Sequence, residues 1–135
     1  SVLAVILGIV AAGLLIWVVE GIGHRVYPPP EGVDFHDPQA VAAIMEEIPL
    51  GALLLVILAW GVGTLAGGWL AALVAGRSAT LHALIVGAVM LAGGIMNMVM
   101  IPHPGWFWIL GVLVFLPAAW LGARLAPAGR DQGGG

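Results

Sequence analysis

The chain has 135 residues, is 61% hydrophobic and only 8% charged, and carries a formal net charge of −3. Soluble domains carry about 25% charged residues, so this composition, with a mean hydropathy of +1.11, excludes an ordinary water-soluble fold and makes the lipid bilayer the first partner. The absence of cysteine excludes disulfides and thiolate metal sites, and four Lys and Arg residues without a cluster argue against nucleic acid.

Crossing the hydrocarbon takes about 20 mainly apolar residues, and four segments qualify: 2–22, 50–75, 81–101 and 106–125. The first has no basic stretch before it and no cleavage site after it, so it reads as a retained span rather than a signal peptide. It ends on Glu20 and His24. Four residues apart, they share one helical face, about 6 Å apart along the axis.

The only long connection, 25–49, follows. Pro28, Pro29 and Pro30 impose an extended exit from the first span. Asp37-Pro38 then reads as an N-cap and first helical residue. Val41, Ile44, Met45 and Ile48 follow at i, i+3, i+4 and i+7, with Glu46 and Glu47 off that stripe. This pattern predicts a short amphipathic helix that lies on the outer face or caps the bundle.

Inside lipid, helices associate through close backbone approach rather than through apolar surface. The second span carries Gly63-x-x-x-Gly67, the third Ala83-x-x-x-Gly87 and the pair Gly93-Gly94, and the first Gly8-x-x-x-Ala12. Gly63, Gly67, Gly87, Gly93 and Gly94 are therefore the expected packing residues. Pro117 predicts a bend in the fourth span, and Trp106 and Trp108 fit an outer aromatic belt. The expected fold is all-α: one membrane domain, an antiparallel bundle of four transmembrane helices with a short outer helix between the first two. Arg77, Arg124 and Arg130 fall on one side and Arg25 on the other. The positive-inside rule then places both termini in the cytoplasm and the long loop outside.

On that topology Glu20, His24, Tyr27, Asn97 and His103 share one slab near the outer surface. Three readings of this cluster stay open. It is structural, with Glu20 paired to His24 or Arg25 and Asn97 bonding across helices. Or it binds a divalent ion, with Glu20, His24 and His103 as ligands; Met96, Met98 and Met100 splay by about 200° per step and cannot all join them. Or it is a small-ligand or proton site, with Glu20 and His24 as the exchanging groups.

The combination Glu20-x-x-x-His24, Tyr27 to Pro30, Pro102-His103-Pro104 and Trp106 to Trp108 resembles small four-span proteins of the bacterial inner membrane with no assigned function. The resemblance implies location in the cytoplasmic membrane and no activity, catalytic group or cofactor. Small multidrug exporters carry their glutamate in mid-span, and quinone-reducing disulfide enzymes need cysteines, so neither pattern fits. The surplus of small-residue faces beside so few intramembrane polar groups favours a non-enzymatic protein that works by packing, as a homo-oligomer such as a homodimer or as an accessory subunit of another membrane protein. The alternative is a ligand, metal or proton site at the outer end of the first and third spans.

Overall fold

The computed structural model describes residues 1–28, 30–34 and 36–127, and every regular element among them is helical. The elements are α1 (Val2–Val26), α2 (Pro38–Ile44), which tightens into a 3₁₀ turn at Met45–Glu47, α3 (Leu50–Ala75), α4 (Ala79–Met100) and α5 (Gly105–Leu125). Four of them, α1, α3, α4 and α5, are long and apolar enough to cross a membrane. Pro29 and Arg130, both used in the sequence reading, lie outside the described residues.

Local chemistry sets the helix ends. α1 runs four residues past the expected end at 22 and stops at Tyr27, whose φ of −125° and ψ of 81° leave the helical region. The residue before a proline is disfavoured in that region, so Pro28, rather than Gly21 or Gly23, ends the helix. Glu20 and His24 therefore sit on continuous helix. α4 ends in the same way, with Ile101 extended in front of Pro102. Between α3 and α4 the chain reverses through Gly76 and Ser78, both at positive φ, 70° and 52°. Glycine adopts that conformation without the Cβ clash other residues meet. α5 stays helical on both sides of Pro117.

The central helix is α3, which packs against α1, α4 and α5. Its glycines let other backbones come close. A Cβ built on Gly63 would lie 2.9 Å from the Ala12 carbonyl oxygen, and one on Gly67 would lie 2.8 Å from Ala12 Cβ. On the neighbouring face, about 100° round, a Cβ on Gly68 would lie 2.8 Å from the Ala119 carbonyl oxygen. Residue numbers rise along α1 as they fall along α3 through these contacts. Between α4 and α5, Gly87 meets Ala119 and Gly94 meets the Phe115 ring. Gly93 does not join them: nothing lies within 4 Å of the place its Cβ would take. Adjacent helical residues point about 100° apart, so Gly93 and Gly94 cannot both face the same neighbour.

The core contains Leu53, Trp60, Met98, Phe107 and Phe115. The Trp60 ring meets Phe107 edge-on, with centroids 5.3 Å apart at 77°, and stacks on Phe115 at 5.3 Å and 27°. The α2 stripe is as patterned. Val41 is buried, Ile44, Met45 and Ile48 are half-buried, and Glu46 and Glu47 are exposed. Asp37 Oδ1 accepts from the Gln39 amide at 3.0 Å, capping the helix. Met45 and Ile48 pack against the aromatic core, so this segment covers the Tyr27 end of the bundle. The outward faces carry large apolar side chains such as Leu14, Trp17, Ile109 and Leu113, the surface that suits lipid rather than water.

Candidate functional site

The residues expected to converge at one end separate into two groups. At that end α1 lies along α3, with Gly23 packed on Leu55 at ordinary contact distance. Glu20 is half-buried, and the Trp60 indole N–H donates to its carboxylate. His24, one turn on and exposed, is near enough to act on Glu20 electrostatically. The carboxylate thus faces α3 rather than α4.

Asn97 and His103 lie elsewhere. Asn97 is exposed on the outward face of α4, in a stretch where Met96, Val99 and Met100 are 63–70% exposed. The inward face of α4 at this level is Met98, whose sulfur lies 2.9 Å from the Cβ position of Gly111 on α5. The depth argument had taken Asn97 to be an inward-facing polar group. Depth fixes the level of a residue in a span and leaves its azimuth open.

His103 is engaged by its own turn. Its Nδ1–H donates to the Ile101 carbonyl at 2.6 Å, and its ring stacks on Phe107 at 4.3 Å between centroids. Burial lowers its pKa below the usual 6.5, and the Ile101 carbonyl offsets only part of that. The imidazole is held neutral at pH 7, with its lone pair on Nε2.

A cavity of about 490 Å³ opens at the Tyr27 end, between α1, the exit through Pro28 and Pro30, and the Glu47–Pro49 connection into α3. Its polar lining is Glu20, His24, Tyr27 and Glu47, and its walls include Leu53 and Val56. Neither Asn97 nor His103 borders it. Tyr27 reaches its place because Gly51 has no side chain: a Cβ there would lie 2.7 Å from Tyr27 Cζ. Volume and lining match small-molecule sites, which typically measure about 300–1,000 Å³ and are mostly apolar with a few placed polar groups.

The expected ion-ligand set does not assemble: Glu20 and His24 share the cavity, whereas His103 does not border it. Among the described residues no group of three or more His, Asp or Glu side chains is arranged to hold a metal ion. The His36–Asp34 contact of 3.4 Å is an exposed pair in the loop. Exposed pairs of this kind contribute little.

Three members of the site escaped the sequence reading. Trp60 and Gly51 do not figure in the sequence reading of the site, and Glu47 figures there only as the polar side of α2. The signal that finds Trp60 is the match between Gly8-x-x-x-Ala12 and Gly63-x-x-x-Gly67. It pairs the first span with the second, and about two turns past Ala12 along that seam Glu20 comes near the level of Trp60. Thr64 was also missed. It is fully buried, and its hydroxyl has no hydrogen-bond partner among the described residues.

No protein-family model matches the chain, and no curated protein or solved structure matches it.

Proposed function

We propose that this is a small multi-pass membrane protein whose α1–α3 cavity binds a small, mostly apolar ligand that enters at the Tyr27 end. The observation that carries the reading is the cavity itself. It holds a half-buried carboxylate, Glu20, at the end of a chain with few ionisable groups in its spans. A charge at that depth is costly unless it is paired or used, and Trp60 supplies only one donor to it. In this reading the four spans run antiparallel across the cytoplasmic membrane, with Arg77 and Arg124 on the cytoplasmic side and the cavity on the other.

The experiment fills the cavity. Ala52→Phe places a ring among the lining residues and is expected to keep the fold while abolishing ligand-induced thermal stabilisation in a screen of small amphiphiles. A screen in which wild type and Ala52→Phe respond alike to every compound would refute the reading.

A second reading, self-association, has its own observation. Gly93 and Asn97 lie one turn apart on the same outward face of α4, and an exposed amide beside a glycine is the combination that helices use to bond across an interface in lipid. The homodimer or accessory-subunit role then rests on α4. Gly63 and Gly67 are taken up within the chain by α1. Disulfide trapping of Asn97→Cys in native membranes tests it, and the absence of any cross-linked species would count against it.

A further inference from the structure

The walls of the cavity specify the charge of what enters it. Resting on the ligand-binding reading above, we propose that the ligand is a lipophilic cation: an ammonium head seated between Glu20 and Glu47, with an apolar tail lying against Leu53 and Val56.

Among the described residues, the lining contains two carboxylates and one imidazole, and neither Lys nor Arg. Arg25 is the next residue after His24, but it lies on another side of α1 and does not border the cavity. An anionic ligand would therefore meet like charge with no fixed cation to offset it, at a depth where water screens poorly. A neutral ligand would leave the Glu20 charge with no opposite charge in the site beyond the neighbouring His24. A cation meets both needs, and Tyr27 adds an aromatic ring at the mouth that favours an ammonium group.

The two carboxylates have unequal roles. Glu20 is half-buried and fixed by Trp60, whereas Glu47 is exposed at the rim. Glu20 then sets affinity, and Glu47 mainly attracts the cation to the mouth. Among the described lining residues no Lys or Arg offers a phosphate group a fixed positive partner. A free amphiphilic amine therefore fits better than the amine of a phospholipid.

The test uses three probes with one tail: octyltrimethylammonium, octanol and octanoate. They are titrated into the protein in dodecyl maltoside, a detergent with neither amine nor phosphate. The readout is the ¹⁵N–¹H resonance of the Trp60 indole, assigned by its absence in Trp60→Phe. Octyltrimethylammonium is expected to shift it saturably, at a concentration at least ten-fold below that of octanol, and octanoate is expected to leave it unmoved. Glu20→Gln should weaken the cation about ten-fold, the loss expected when a charged hydrogen-bonding partner is removed. Glu47→Gln, at an exposed site that does not threaten the fold, should weaken it about three-fold.

Equal half-saturation by octanol and the cation would overturn the cation assignment and leave the ligand site standing, as would an unchanged preference in both glutamine variants. No shift of Trp60 by any of the three probes would overturn the cavity reading as well. Phosphatidylethanolamine added to the same micelles separates the sources. A shift that depends on Glu20 and matches that of the cation would support the ammonium head and place it on a lipid. No shift would support the free amphiphile.

Discussion

Adding one methyl group at Gly67 tests whether the α1–α3 seam holds the protein together. The new Cβ would lie 2.8 Å from Ala12 Cβ, and closer still to the Gly8 carbonyl oxygen. Ordinary carbon contacts fall at about 3.5–4.0 Å, so α1 has to back away from α3 by about 1 Å. The obstacle is backbone, which cannot rotate aside as a side chain can. Displacing α1 also loosens the Gly63 contact with Ala12 one turn along, and the Gly8 contact with Ala71. Overpacking of this kind costs about 1–3 kcal/mol, set against at most about 1 kcal/mol that alanine gains over glycine in helix propensity.

We expect Gly67→Ala to unfold at a lower mole fraction of SDS in mixed micelles, followed by tryptophan fluorescence, and Gly67→Ile to be worse. Gly93→Ala is the control: nothing lies within 4 Å of its new methyl group, so only the propensity gain remains. The loss at Gly67 should not depend on protein concentration, because the seam is within one chain. Wild-type stability for Gly67→Ala would refute the argument. So would a penalty at Gly93 equal to that at Gly67, or a Gly67 penalty that disappears on dilution.

Trp60→Phe keeps an aromatic ring against Phe107 and Phe115 but removes the donor to Glu20; it should cost about 1–3 kcal/mol, and part of that should return on adding Glu20→Gln in a double-mutant cycle. Met98→Ala, at a buried position packed on Gly111, should cost about 2–5 kcal/mol, whereas Asn97→Ala one residue earlier, on the exposed face, should change monomer stability by less than about 0.5 kcal/mol. Because the folded pKa of His103 lies below 6.5, the unfolded chain binds its proton first as the medium is acidified. Stability then falls as pH drops from about 6.5 toward the lowered folded value and levels off beneath it. Thermal scans across that range should show the loss in wild type and a smaller one in His103→Phe.

Most of the fold was legible because four stretches of sequence are long and apolar enough to cross a membrane, and each forms one long helix. The second span, 50–75, matches α3 at both ends, and the α2 stripe follows its i, i+3, i+4, i+7 pattern. The first span was expected to end at 22, whereas α1 continues to Val26. In lipid, the prolines that follow are the stronger terminators, since glycine still forms the backbone hydrogen bonds that the bilayer demands. The site was legible in its depth and not in its neighbours. Glu20 and His103 do lie near the same end, but hydropathy carries no azimuth, and only the matched glycine faces say which helices touch. Asn97 misled for the same reason: a lone amide in a span suggests an inward group, yet the inward position on that turn belongs to Met98.

The cavity follows from how side-chain size is distributed along the bundle. Around the Arg77 end, the buried positions are Ala71, Ala72, Ala79, Ala83, Ala119 and Ala123, together with Gly67 and Gly68. Helices faced with such residues approach to the short end of the usual 8–10 Å range of interaxial distances. Around the Tyr27 end, the large buried side chains are Leu53, Trp60, Met98 and Phe107, with Ala59, Gly94 and Gly111 as smaller buried positions among them, and helices held apart by aromatic rings sit toward the long end of that range. The rings fill the α3–α4–α5 side, where Trp60, Phe107 and Phe115 stack on one another. On the α1 side, Gly23 lines the opening and adds no side chain to it. The opening is therefore left beside Glu20, under the Tyr27 ring and the Glu47–Pro49 connection. A uniform small-residue bundle would have closed it, and a bulky residue in place of Gly23 would have filled it. The same sequence gradient that tightens one end of the protein leaves the other end with room for a ligand.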